Sequence, residues 1–107
     1  SVLGEHALVQ QVRAIEEGLK RISTGGAVSY GPTEIAEAAK QGAVETLVIE
    51  ASMLRSADIE ARERWTGIAG AVESSGGRLI QASVDHDSGQ HLLGFGGAIA
   101  LLRWKTE

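Results

Sequence analysis

The chain has 107 residues, with 14 acidic and 10 basic side chains and a formal net charge of -4 at pH 7. This length fits one domain with one core, and the acidic balance disfavours a general binder of the nucleic-acid phosphate backbone. The sequence has no cysteine, which excludes disulfides, thiolate metal ligands and a thiol nucleophile, and fits a reducing compartment.

Helices and strands are predicted to alternate along the chain. The first helix is amphipathic, because its apolar residues recur every three or four positions. Pro32 begins the second helix, where its fixed φ and missing N–H are tolerated, and Gly42 ends it as a left-handed cap. The predicted elements are helix 5–23, strand 27–30, helix 32–41, strand 43–50, a linker at 51–57, helix 58–75, strand 78–84, a helical turn at Leu92 and Leu93, and strand 98–104.

This alternation predicts a three-layer α/β/α sandwich around a four-stranded, mostly parallel or mixed sheet. In the strand 43–50, apolar residues occupy both faces, which indicates a central strand covered on both sides. One antiparallel strand is possible because the last connection is short. The sequence does not predict the order of the strands.

No apolar run approaches the roughly 20 residues of a membrane-spanning helix, and the chain opens without a charged-then-apolar signal segment. We therefore expect a cytoplasmic protein without a membrane partner. The numbering begins at Ser1 rather than Met, which suggests a processed chain or a segment excised from something longer. We expect a single domain, residues 1–107, excised from a longer multidomain protein.

The polar segment 85–91 is the sharpest catalytic suggestion, because it follows a predicted strand at the position where α/β proteins bind ligands. His86 and His91 are five residues apart, not the four that would place them on one helix face, and a third ligand is missing. A Ser88 nucleophile would need a base and an acid from the same short segment. We interpret the segment as a solvated loop and expect no metal, no cofactor and no catalytic residue.

The glycine-rich run 94–97 does not fit a phosphate-binding loop, because it enters an apolar strand rather than a helix. It is better explained as a tight passage where the backbone approaches a neighbour closely. Arg103 and Trp104 end the last predicted strand. Arginine beside an aromatic residue is typical of protein contact surfaces.

Several segments carry a family resemblance across nearly the whole chain: 30–31, 34–35, 42–49, 54–55, 76–77, 86–89 and 96–103. In this order and spacing they resemble the third domain of the Pelota and class I release-factor family. The sequence at 86–89 is similar to the Pelota branch, whereas that at 94–97 is similar to release factors. The chain lacks the cysteine-rich insertion that archaeal release factors often carry after the second strand, and this favours the Pelota branch.

The resemblance implies a fold similar to kink-turn-binding ribosomal proteins, whose RNA-binding helix opens with Gly-x-Asn-Glu-x-x-Lys. Here the corresponding residues are 31–37, with Thr33 in place of the Asn and Glu37 in place of the Lys. The second replacement turns an attraction for phosphate into a repulsion. This surface therefore lacks the Asn and the Lys of the RNA-binding pattern.

The resemblance also implies a function. The domain would be a non-enzymatic protein-docking domain of a ribosome-rescue and mRNA-surveillance factor in no-go and non-stop decay. It would bind a translational GTPase related to elongation factor 1-alpha and then the ABC-type recycling ATPase, and it would reach the ribosome through the full-length protein. The nuclease activity attributed to the family would belong to another domain. The peptide-releasing Gly-Gly-Gln of release factors belongs to a central domain absent here.

Two alternatives stay open. One is the C-terminal domain of an archaeal or eukaryotic-type class I release factor, and the other is a kink-turn RNA-binding protein of the ribosomal type. The candidate partner-binding residues are Phe95, Arg103, Trp104, His86, Ser88 and Arg55.

Overall fold

The computed structural model describes residues 2–85 and 87–105, with side chains from Leu8 onward except that of Ser88. Helices and strands alternate as the sequence predicts. In the described residues they are α1 (Val2–Thr24), β1 (Val28–Tyr30), α2 (Pro32–Lys40), β2 (Val44–Glu50), a short 3₁₀-helix (Ala51–Arg55), α3 (Ile59–Ser74), β3 (Arg78–Ala82), α4 (Asp87–Leu93) and β4 (Ala98–Leu102). None of these helices is long and apolar enough to cross a membrane.

The four strands form one mixed sheet in the order β1-β4-β2-β3. The β2–β3 pair is parallel, whereas β4 is antiparallel to both of its neighbours. The orientation of β4 follows from the short connection before it. The seven residues of α4 span about 10 Å, which matches the roughly 10 Å across two strand spacings. The chain therefore re-enters the sheet at the end where β3 stops.

Helices cover both faces of the sheet, so the predicted three-layer sandwich is confirmed. The α1–α4 layer packs on one face around Ile15, Val48, Leu92 and Ile99. The α2–α3 layer packs on the other around Ile35, Leu47, Trp65 and Val72. The expectation of one core is thus wrong in detail, because strand side chains alternate between faces and the sheet separates two apolar clusters.

A β-bulge lies near the start of β2. Val44 pairs with Leu102 and Thr46 with Leu101, so two steps along β2 oppose one step along β4. The extra residue shifts the alternation. As a result Val44 joins Leu47 in the cluster under α2 and α3.

Several element predictions were wrong in part. The predicted strand 78–84 stops at Ala82, and the predicted linker 51–57 contains the 3₁₀-helix. The segment interpreted as a solvated loop is largely helical, because α4 already begins at Asp87. It is anchored by Leu92, which is fully buried, and by Gly89, which sits against the backbone of Ser83. The predicted last strand stops at Leu102, so Trp104 lies beyond it.

Candidate protein-docking surfaces

The predicted partner-binding residues do not form one site. Phe95 precedes β4 and Arg103 and Trp104 follow it, so they lie at opposite ends of the sheet. The strand between them, from Ala98 to Leu102, is about 14 Å long, which is four steps of roughly 3.4 Å. We call these the Phe95 end, where β1, β2 and β3 finish and β4 begins, and the Trp104 end, where β4 finishes.

An aromatic pair marks the Phe95 end. The rings of Phe95 and Tyr30 meet edge to face, with centroids 5.3 Å apart and an interplanar angle of 67°, a favourable geometry for aromatic rings. Tyr30 is 45% exposed, and Leu93, two residues before Phe95, is 49% exposed. The sequence prediction did not select Tyr30. Its signal was present, since an aromatic residue closing a strand just before Gly31 and Pro32 marks a turn at a sheet end.

Arg55 also lies at the Phe95 end, because the 3₁₀-helix directly continues β2. The Glu50 carboxylate caps this helix by accepting hydrogen bonds from the Ser52 amide, at 3.1 Å, and from the Ser52 hydroxyl. Arg55 is exposed at its last turn and lines a cavity of about 390 Å³ with Met53 and Trp65. An exposed guanidinium therefore stands on the same end as the aromatic pair.

Gly97 joins these two features. Its φ is +91°, a conformation that residues with a Cβ rarely adopt, and a Cβ there would collide with the sulfur of Met53. The Glu50 amide donates to the Gly97 carbonyl at 2.8 Å. The prediction of a tight passage at 94–97 is thus confirmed, and it holds the 3₁₀-helix against the start of β4.

Two of the predicted partner-binding residues stay untested. His86 lies outside the described residues, and Ser88 belongs to α4 without a described side chain. In the flanking residues, the Gln90 side-chain amide donates to the Val84 carbonyl at 2.7 Å, and the Asp85 backbone amide donates to the Ser83 hydroxyl at 3.2 Å. Within the described part of the chain, His, Asp and Glu side chains form no group of three that could hold a metal ion.

At the Trp104 end, Arg103 has a structural role. Its Nη2 donates to the Ser75 carbonyl at 2.8 Å, at the C-terminus of α3, where a cation is favoured by the helix dipole. Arg21 acts similarly: it pairs with Glu17 at 2.8 Å and donates to the carbonyls of Ala27 and Leu102. Trp104 is different, since it follows the strand and is 49% exposed.

The beginning of α2 presents mixed charge. Gly31 has a φ of +91° and Pro32 is the first helical residue, as the sequence predicts. A cleft of about 440 Å³ there is lined by Thr33, Glu37, Lys40 and Arg64 among others. The Glu37 carboxylate in the same cleft as these cations weakens any attraction for phosphate.

The sequence matches the family described as eRF1 domain 3 over residues 8–106. The chain belongs to this family. A protein named pelota homolog from Aeropyrum pernix is 38% identical over 104 residues, which are 96% of this chain and 29% of that protein. The predicted resemblance to the third domain of the Pelota family is confirmed. The chain spans less than a third of the length of the curated relatives it matches.

Solved structures agree. Dom34 of Saccharomyces cerevisiae superposes with a TM-score of 0.86 at 26% identity, over 92% of this chain and 28% of that one; it is described as a translation termination-like factor involved in RNA quality control and interacting with Hbs1. Ribosome-bound archaeal Pelota, described together with ABCE1, superposes with a TM-score of 0.82 at 34% identity, over 99% of this chain and 29% of that one. The archaeal termination factor aRF1 superposes with a TM-score of 0.67 at 31% identity, over 89% of this chain and 26% of that one.

Proposed function

We propose that this chain is the non-enzymatic protein-docking domain of a Pelota-like ribosome-rescue and mRNA-surveillance factor that acts in the cytoplasm in no-go and non-stop decay. The observation that carries the proposal is the agreement with Pelota homologues over nearly the whole chain, at 38% identity for the Aeropyrum protein. The domain serves by binding other proteins, and the ribosome is contacted through the full-length protein.

The proposed partners are a translational GTPase related to elongation factor 1-alpha, followed by an ABC-type recycling ATPase. Support comes from the structural neighbours: Dom34 is described as interacting with Hbs1, and archaeal Pelota is described on the ribosome with ABCE1. Two proteins binding in turn to one small domain require at least one surface with strong anchor residues.

The two ends of the sheet supply such anchors. Binding energy in protein interfaces concentrates in a few Trp, Tyr and Arg side chains near the centre of the contact. The Phe95 end offers Tyr30, Phe95 and Arg55, and the Trp104 end offers Trp104. Of the earlier candidates, Arg103 contributes less to this proposal, because its guanidinium already binds the Ser75 carbonyl.

The test is a calorimetric titration of the purified GTPase, and separately of the ATPase, into the 107-residue chain. Trp104→Ala disables one end and the double variant Tyr30→Ala, Arg55→Glu disables the other. We expect at least one of them to weaken one partner tenfold or more, the effect of losing about 1.4 kcal/mol. Ile59→Ala with Arg62→Glu is the matched control, since both side chains are exposed on α3.

Two results would contradict the proposal. If neither partner binds the unmodified chain, the docking function is wrong. If both end variants bind both partners as tightly as the control while circular dichroism shows intact folds, the docking surface lies elsewhere. Arg103→Glu is avoided, because it would place a negative charge at the C-terminus of α3 and confuse binding with stability.

The release-factor alternative retains one supporting observation, the 31% identity with archaeal aRF1. Its superposition is poorer than that of Dom34, with a TM-score of 0.67 against 0.86. The parent chain distinguishes the two directly. A central domain carrying Gly-Gly-Gln would establish a release factor, and one without it a Pelota-like factor.

A further inference from the structure

An apolar groove of about 440 Å³ runs between α1 and α4, on the face of the sheet away from α2 and α3. Its floor consists of one stripe of α1, and its rims carry side chains from both helices. The lining residues are Leu8, Val12, Ile15, Glu16, Leu19, Asp87 and His91.

The groove stays open because the two helices differ in length. α1 has 23 residues and α4 has seven, so α4 covers only part of the apolar stripe. Ile15 is buried, whereas Leu8, Val12 and Leu19 are half-buried. From Leu8 to Leu19 the stripe extends about 16 Å along the axis, which is three turns of a helix.

The rims of this groove are acidic. Glu16 and Asp87 are exposed carboxylates, and His91 lies one turn after Asp87 on the same face of α4. Three other cavities in the described part of the chain each include Lys or Arg: Arg13 and Arg78 in one, Lys40 and Arg64 in the second, Arg55 in the third. The α1–α4 groove differs from these three, because neither Lys nor Arg lines it.

We infer that the α1–α4 groove docks a basic amphipathic helix from a partner protein. An apolar floor three turns long fits a helix that presents apolar side chains at positions i, i+3 or i+4, and i+7. The carboxylates of Glu16 and Asp87 fit Lys or Arg side chains flanking that apolar face, because complementary charges steer and orient docking. The inference goes beyond binding at the ends of the sheet, since the groove lies on a face and its variants leave Tyr30, Arg55 and Trp104 unchanged.

The probe is a helix-stabilised synthetic peptide of about 14 residues, with Leu at the spacing above and Lys on both flanks, labelled for fluorescence anisotropy. A second peptide carries Glu at every Lys position. We expect the Lys peptide to bind the 107-residue chain in a saturable manner and the Glu peptide to bind at least tenfold more weakly. The double variant Glu16→Lys, Asp87→Lys should bind the Lys peptide more weakly by a similar factor.

The matched control is Glu63→Lys with Glu73→Lys, which makes the same change in net charge on the exposed side of α3. Its affinity for the Lys peptide should stay within about threefold of that of the unmodified chain. The affinities are measured at 150 mM salt, where long-range attraction is screened. No binding of the Lys peptide, equal binding of both peptides, or equal losses in the two double variants would each overturn the inference. So would a homodimer in sedimentation equilibrium that the groove variant converts to monomer, because a second copy would then occupy the groove.

Discussion

The close approach of α4 to the sheet depends on a single glycine. Gly89 is buried, and a Cβ built on it would lie 2.7 Å from the Ser83 carbonyl carbon and 2.8 Å from the Val84 Cα. These are backbone atoms, so they cannot move aside as a flexible side chain would. Residue 89 therefore has to be glycine for α4 to seat Leu92 in the core.

We predict that Gly89→Ala destabilises the fold by about 1–3 kcal/mol, the usual cost of overpacking a filled site. Urea denaturation followed by circular dichroism measures the change. Gly67→Ala is the control: Gly67 is exposed within α3 with nothing within 4 Å of a built Cβ, so it should stabilise by up to about 1 kcal/mol. Equal stability of Gly89→Ala and the unmodified chain would show that α4 does not need this contact.

Residue types whose effect is local were predictable from sequence alone. Asp58 caps α3, accepting from the Glu60 amide at 3.1 Å, and Gly42 takes a φ of +70° at the end of α2. Ile59 shows the limit of this approach. It fits the apolar spacing of α3, yet it is 58% exposed, because the first turn of the helix extends past the edge of the core.

At the scale of elements, the helices and strands with strong periodicity were predicted to within a few residues. The first five residues of α4 were missed, although the turn at Leu92 and Leu93 was predicted. Four of these five residues are polar or charged and the other is glycine, so the pattern indicates a loop. The helical state of α4 depends on two tertiary contacts: the burial of Leu92 in the core and the packing of Gly89 against the Ser83 backbone. The grouping of Arg55 with Phe95 rather than with Trp104 was equally hidden, since it follows from the antiparallel course of β4 relative to β2.

One tertiary contact fastens α1 to the loop before α4. The Gln11 side chain donates to the Ser83 carbonyl at 3.0 Å and accepts from the Ser83 amide at 3.1 Å. Gln11 is 4% exposed, so water does not readily replace these bonds. The reciprocal pair fixes the register of α1 over β3 and thereby the shape of the α1–α4 groove.

We predict that Gln11→Leu costs about 1–3 kcal/mol, because it removes both hydrogen bonds that the buried Gln11 side chain makes with the half-buried backbone of Ser83. Hydrogen exchange should be more specific than denaturation, with the Ser83 amide losing protection in the variant. Gln81→Leu is the control, since Gln81 is an exposed glutamine on β3. Retained protection of the Ser83 amide in Gln11→Leu would mean that another group satisfies it.

For the whole molecule, the surface divides by chemistry. Aromatic anchors stand at the two ends of the sheet, an acidic apolar groove lies on the α1–α4 face, and mixed charges surround the start of α2. A net charge of -4 disfavours binding of a phosphate backbone. The same scaffold could serve proteins or RNA, and the side chains on it decide between them.

The kink-turn alternative can be tested by restoring its missing residues. The described chain places Thr33 and Glu37 one turn apart and both exposed on α2, where the RNA-binding pattern has Asn and Lys. We predict that the unmodified chain shows no saturable binding to a kink-turn RNA in 50 mM salt. The double variant Thr33→Asn, Glu37→Lys should gain affinity that falls as salt rises, with a slope near one ion for each phosphate contacted. Glu63→Lys with Thr66→Asn on α3 makes the same exchanges away from this surface and should gain nothing. Tight binding by the unmodified chain would instead favour the RNA function over protein docking.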